Sequence, residues 1–223
     1  MLAASSGDFV AVEECLAAAA QGDAAATAAV VNAQDNFGYT ALMYAASAGH
    51  AQIVEALIAA GGDLHKKNRQ GLASLDLAVA KGHASVVQTL RHARLFFAAR
   101  DGDHYELTTL LEQGADVNAQ VTDGWTALMI AAFHDHPFII QTLLARGANS
   151  ELETITGRTA LMIARQRGHE EVVSLLYYYG AEPEPLSSMT VDATSIIPPT
   201  AATAAAAESA PLLELDISTE LDK

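Results

Sequence analysis

The densest run of chemistry-bearing side chains is His134-Asp135-His136, two imidazoles around one carboxylate. Such a triplet could ligate a metal or relay a proton. A zinc site needs three or four ligands, and no third one is predictable nearby. Ser5, Ser6, Ser47 and Ser74 are candidate nucleophiles only by type, since none sits in a G-x-S-x-G context or beside a paired base. The carboxylate pairs Glu13-Glu14 and Glu170-Glu171 fall on outer helix faces, where solvation is the ordinary outcome. Gly61-Gly62 is followed by no Gly-Lys-Ser/Thr, so it reads as a helix terminus and not as a phosphate loop. Cys15 is the single cysteine, which excludes an internal disulfide or a cysteine zinc cluster. Its place on an apolar helix face predicts a small buried hydrophobe. No catalytic constellation emerges, and no cofactor or metal is expected.

Composition narrows the remaining classes. Of 223 residues, 51% are apolar, a figure inflated by alanine, which suits short helices in close contact. A net charge of −15 argues against nucleic acid, whose phosphates must be met by Lys and Arg. No run of roughly 18 apolar residues suggests a membrane span, and the N-terminus lacks a signal-peptide pattern. The expectation is a soluble, monomeric, cytoplasmic protein, with the nucleus also compatible. Lys66, Lys67 and Lys81 are every lysine before Lys223 and, with Arg69, they cluster in one stretch. From Glu182 onward there are eight carboxylates and one lysine.

The elements that hold these residues come from a repeated text. Asp123-Gly-Trp-Thr-Ala-Leu-Met-Ile-Ala-Ala132 recurs as Asn36-Phe-Gly-Tyr-Thr-Ala-Leu-Met-Tyr-Ala-Ala46 and as Thr156-Gly-Arg-Thr-Ala-Leu-Met-Ile-Ala164, with a weaker copy at Gln70-Gly-Leu-Ala-Ser-Leu-Asp-Leu-Ala78. The interval from Gly38 to Gly71 equals that from Gly124 to Gly157. Each copy leads through a turn into a second apolar helix, and Gly49-His50, Gly82-His83 and Gly168-His169 mark the turns. A fixed period of this length, about 33 residues, is the mark of a solenoid. Thr40 can cap the first helix of its copy, and Gly49 can end it in a left-handed conformation.

These residues resemble the ankyrin repeat over about residues 2–181. The usual proline after threonine is Ala41, Ala127 or Ala160 here, and the usual histidine is Met43, Asp76, Met129 or Met162. Alanine and methionine are good helix formers, so the fold is not threatened. The resemblance implies an all-α solenoid of helix pairs joined by short β-hairpin fingers. It also places His136 in register with His50, His83 and His169, as a structural member hydrogen-bonding between turns. Asn32, Asn118 and Asn149 occupy a position whose common role is to bond across the hairpin loop.

Ankyrin proteins usually bind partners on the face formed by finger tips and first helices. Carried onto this chain, that face holds Phe37, Tyr39, Lys67, Arg69 and Lys81 in the first half. In the second half it holds Trp125, Phe133, His134, Arg158 and Arg167. Aromatics and arginine are the types that dominate interface hot spots. The resemblance implies a non-catalytic protein-interaction module, an adaptor, scaffold or regulatory subunit. The alternatives are a module that targets or regulates an enzyme, and a dedicated chaperone or inhibitor of one partner. Trp125, Phe133 and Arg158 are expected to line one patch, and truncating Trp125 is expected to spare the fold.

The register breaks once. Gly82 to Gly102 falls short of the common interval by the length of one finger, and residues 84–100 contain no Gly or Pro. They are expected to form one long helix or two with a very tight turn. Features of the two halves match at a constant offset, as in Gly38/Gly124 and His83/His169. This predicts two blocks, 1–94 and 95–182, each a cap and two repeats, leaving two separate binding patches. An alanine-rich insertion at residues 23–30 is expected to be a surface loop or a helix extension. Residues 183–223, rich in Pro, Ser, Thr, Ala and acid, are expected to be a disordered tail. Within it, Leu212, Leu213, Glu214, Leu215, Asp216 and Ile217 form one apolar-acidic cluster.

Overall fold

The structure is a computed structural model that describes residues 1–19 and 24–180. The expected tail at 183–223 lies outside these residues. Twelve α-helices follow one another, with one 3-10 turn at Thr122–Gly124 and no strand among the described residues. The first block contains α1 (Leu2–Ser6), α2 (Phe9–Ala19), α3 (Ala24–Val31), α4 (Ala41–Ala48), α5 (Ala51–Ala59) and α6 (Ser74–Lys81). Helix α7 (Ala84–Asp101) leads into α8 (His104–Glu112), α9 (Ala127–Phe133), α10 (Pro137–Ala145), α11 (Ala160–Arg167) and α12 (Glu170–Tyr178). Helices α1, α4, α6, α7, α9 and α11 contact in succession, while α2, α5, α7, α8, α10 and α12 form a second layer behind them. Helix α7 belongs to both layers.

Local chemistry starts and stops each pair. The hydroxyls of Thr40, Thr126 and Thr159 accept from the amides of Met43, Met129 and Met162 at 3.2, 3.3 and 3.3 Å. Each satisfies one of the orphan donors of a first helix turn. At α6 the cap position is Ala73, and the Asp76 carboxylate instead accepts from the Ala73 amide at 2.9 Å. The residue that departs most from the repeat thus restores part of the missing cap. Pro137 occupies the first turn of α10, where a missing amide costs nothing.

The fingers are turns and not β-hairpins. Asp35 shows how they close: its amide donates to the Tyr39 carbonyl, and its carboxylate accepts from the Phe37 and Tyr39 amides, each at 2.8 Å. Adjacent fingers share a single backbone bond, Arg69 N–H to Phe37 carbonyl or Ile155 N–H to Asp123 carbonyl. One bond per step is too few for a ladder. The Gln34 and Gln120 side chains add bridges to Lys67 and Glu153 carbonyls.

The imidazoles at the repeat turns bond backward to the preceding repeat. His50, His83 and His136 meet the Ser5, Ser47 and Arg100 carbonyls at 3.4, 3.0 and 2.8 Å. Glycine is required at the turn that receives each ring: a Cβ at Gly49 would lie 2.7 Å from His83 Nδ1. The Asn32 and Asn118 side chains bridge in the opposite sense, forward to the next repeat, accepting from the Asp63 and Asn149 amides at 2.7 Å. The insertion differs from expectation: from Ala24 on it forms a separate helix, α3.

The expected long helix is present as α7, 18 residues without interruption. The buried side chains divide along it. One apolar cluster runs from Ala4 to Ala93 and the other begins at Leu95. Phe96 belongs to the second cluster and Phe97 packs against the first. Across this junction Glu106 accepts from Arg94 Nε at 2.7 Å and lies 3.8 Å from His65 Nδ1.

Candidate functional site

Two of the anticipated surface residues are interior. Trp125 is 4% exposed and Arg158 is 3% exposed. Trp125 sits at the base of its finger, immediately before the Thr126 cap, and its ring joins the second core. Position in the repeat explains this correction. Arg158 is the residue one repeat on, also immediately before the capping threonine, and it is buried in the same way. Tyr39, at the same place in the first block, is half-buried, its ring tilted against that of Tyr44 with centroids 5.1 Å apart. The Tyr44 hydroxyl in turn donates to Asp35 at 2.6 Å, which holds the Asp35 carboxyl below its usual range and the Tyr44 phenol above its own. The position before the threonine therefore seats the finger on the helices. Cys15 is also corrected: it is exposed on α2.

The remaining residues form two groups. In the first block Phe37 stands at a finger tip, 68% exposed, while Lys67 and Arg69 lie exposed on the next finger. Lys81 is exposed at the far end of α6. In the second block the C-terminal ends of α7, α9 and α11 come together as a shelf. Phe133 is half-buried, its ring edge-on to Trp125 with centroids 6.0 Å apart. The Arg167 guanidinium lies 3.7 Å from the Phe133 ring centroid, and the His134 ring is 5.0 Å from it. His134 also stacks on His136 at 6.2 Å. Arg100 borders the shelf, held over the Phe97 ring at 4.7 Å and paired with Asp101 at 2.7 Å.

The electrostatics of the shelf are cationic in a strongly acidic chain. Burial, and then like charge from His136, Arg100 and Arg167, pushes the His134 imidazole below its usual range, against a smaller pull from Asp101. Arg167, Lys81, Lys67 and Arg69 form no ion pair among the described residues. An exposed guanidinium stacked on an aromatic face is preorganised to fork onto a carboxylate. The described residues include no group of three or more His, Cys, Asp or Glu placed to hold a metal. No described helix is long and apolar enough to cross a membrane.

Two exposed aromatics were not anticipated. Tyr105 on α8 is 82% exposed and Phe138 on α10 is 76% exposed. They stand one period apart at the same repeat position, the second residue of a second-layer helix, where the others carry Val10, Gln52, Ser85 and Glu171. An aromatic at a position that is not aromatic elsewhere was the available signal. Beside them His104 Nε2 meets the Thr142 hydroxyl at 2.9 Å.

A family model described as ankyrin repeats (3 copies) matches residues 1–94 and again residues 95–186. Among curated proteins, the mitochondrial disaggregase of Homo sapiens is 41% identical over 64 residues, covering 29% of this chain and 9% of that protein. The L-asparaginase of Dirofilaria immitis is 34% identical over 110 residues, covering 44% of this chain and 19% of that protein. The match thus spans less than a fifth of either relative.

Proposed function

Because the chain belongs to the ankyrin-repeat family, whose repeats are protein-interaction modules, we propose that it is a non-catalytic adaptor, scaffold or regulatory subunit. Its partner is a protein, bound through the face made by finger tips and first helices. Phe133, His134 and Arg167 form the centre of the site in the second block. Phe37, Tyr39, Lys67, Arg69 and Lys81 offer a second patch in the first. Trp125 and Arg158 support the site from beneath. The observation that carries this reading is Arg167 stacked at 3.7 Å on a half-exposed aromatic with no carboxylate paired to it among the described residues. A cation left open in a chain of net charge −15 is a poor device for stability and a good one for recognition.

The test pairs affinity with stability. Partners retained by the intact protein are titrated against wild type and Arg167→Glu. Loss of a central contact should weaken binding roughly thirtyfold, about 2 kcal/mol, while the thermal midpoint stays within a degree or so. Equal affinity of the two proteins would remove the shelf from the site. A second reading, a module that targets or regulates an enzyme, is favoured by the relatives. Both are proteins with enzymatic names of which only a small part matches.

A further inference from the structure

We propose that the shelf of Arg100, Phe133, His134 and Arg167 is occupied in cis by this chain's own residues 212–217, so that an external partner must displace them. The inference rests on the shelf being a docking surface, and names its resident ligand. Leu213, Glu214, Leu215, Asp216 and Ile217 alternate apolar and acidic residues without interruption. In an extended conformation that alternation puts both carboxylates on one edge and the three aliphatic side chains on the other. Five extended residues cover about 13 Å, more than one interhelical spacing of about 8–10 Å. The acidic edge can therefore reach Arg167 while the aliphatic edge lies along Phe133 toward Phe97. Charge complementarity is strong: the stretch from Glu182 carries eight carboxylates against one lysine, whereas Arg167 has no ion-pair partner among the described residues.

The connection permits it. Helix α12 packs on α11, whose last residue is Arg167, and the tether to the segment runs from Gly180 to Leu212. A chain of roughly 30 residues can reach at most about 100 Å, far beyond the interhelical spacings of about 8–10 Å that make up the shelf. Linkage in one chain raises the concentration of the segment at its target above that of a free peptide. A contact whose Kd equals that concentration is half occupied, and an external partner sees an affinity reduced by the free fraction.

Paramagnetic relaxation in the full chain tests this. With Cys15→Ser to remove the exposed thiol, a spin label is placed at Ser218→Cys and amide broadening is mapped. The expected result is broadening at Arg100, Phe133, His134 and Arg167 exceeding that at the finger tips Phe37 and Gln70. Broadening should fall several-fold in Arg167→Glu. It should fall equally in Glu214→Gln with Asp216→Asn, which leaves the repeats untouched and separates docking from folding. Uniform broadening, broadening centred on the fingers, or broadening indifferent to both variants would overturn the proposal. So would broadening seen only between labelled and unlabelled copies, which would mean a second chain is the occupant. Failure here leaves the partner titration standing. A partner indifferent to Arg167→Glu alongside intact broadening would instead retire the external site and keep the internal one.

Discussion

Trp125 carries the largest revision at the residue scale. A tryptophan at a finger was expected on the binding face, yet its indole closes the second core beneath Phe133. Trp125→Ala is accordingly a core truncation, expected to cost about 3–5 kcal/mol in urea unfolding. Phe37→Ala, at an exposed tip, should stay within about 0.5 kcal/mol. Similar losses in the two variants would contradict this division. Histidine titration gives a second residue-scale expectation. Burial holds His92 below its usual range, opposed by Asp116, and His134 is depressed for the reasons given above. A depressed folded-state pKa means that the unfolded chain binds the proton more tightly. The stabilisation is thus complete above the unfolded value of 6.5 and is lost as pH falls through the folded values. The thermal midpoint should drop between about pH 7.5 and 5.5, and drop less in His134→Gln. An unchanged slope in that variant would show that His134 keeps its proton affinity on folding.

The helix-turn-helix unit is controlled by the residue between its helices. Gly49 has φ 84, and the His83 ring fills the space a side chain would need. Asp135 stands at the same turn in the second block with φ 58. The ring it faces has moved: His169 uses Nδ1 to meet Ala132, three residues before Asp135, where the other histidines reach two residues before the glycine. Asp135→Gly should therefore stabilise, by up to about 1 kcal/mol in denaturant midpoint, by relieving left-handed backbone strain. A loss of stability would show that the aspartate side chain contributes more than the strain costs. At the fingers, the family resemblance implied paired strands, because family fingers are described as hairpins. One interfinger hydrogen bond per step does not make a strand.

At the scale of the whole molecule, α7 is the connection between two cores. Omission of one finger fuses a second-layer helix to the next first-layer helix, and the apolar clusters part between Ala93 and Leu95. A proline in a helix interior costs about 3 kcal/mol or more by removing a hydrogen bond and adding a clash. Ala93→Pro should uncouple the halves. Trp125 is the single tryptophan and lies in the second core, so its fluorescence reports that half while far-UV circular dichroism reports both. In wild type the two urea transitions should coincide, and in Ala93→Pro they should separate. Coincidence in the variant would mean that the Arg94–Glu106–His65 contacts and finger stacking suffice for coupling.

By itself the sequence determined the repeat register, the threonine caps, the histidine ladder and the uninterrupted α7. Each of these depends on residues within one repeat or at a fixed offset of about one period, where backbone geometry leaves few alternatives. It also placed Phe133, His134 and Arg167 at the ends of successive first helices. Only the tertiary structure decided which finger side chains turn inward. Trp125 and Arg158 are buried while Tyr39 at the same register position is half-buried, because burial depends on the volume left by the neighbouring finger and on what fills it. Cys15 is decided in the same way: Phe9, Val12 and Leu16 form the side of α2 that meets the first core, and Cys15 lies beside that stripe and is exposed. Periodicity fixes the side of a helix on which a residue lies, while packing against the adjacent repeat fixes whether that side is closed.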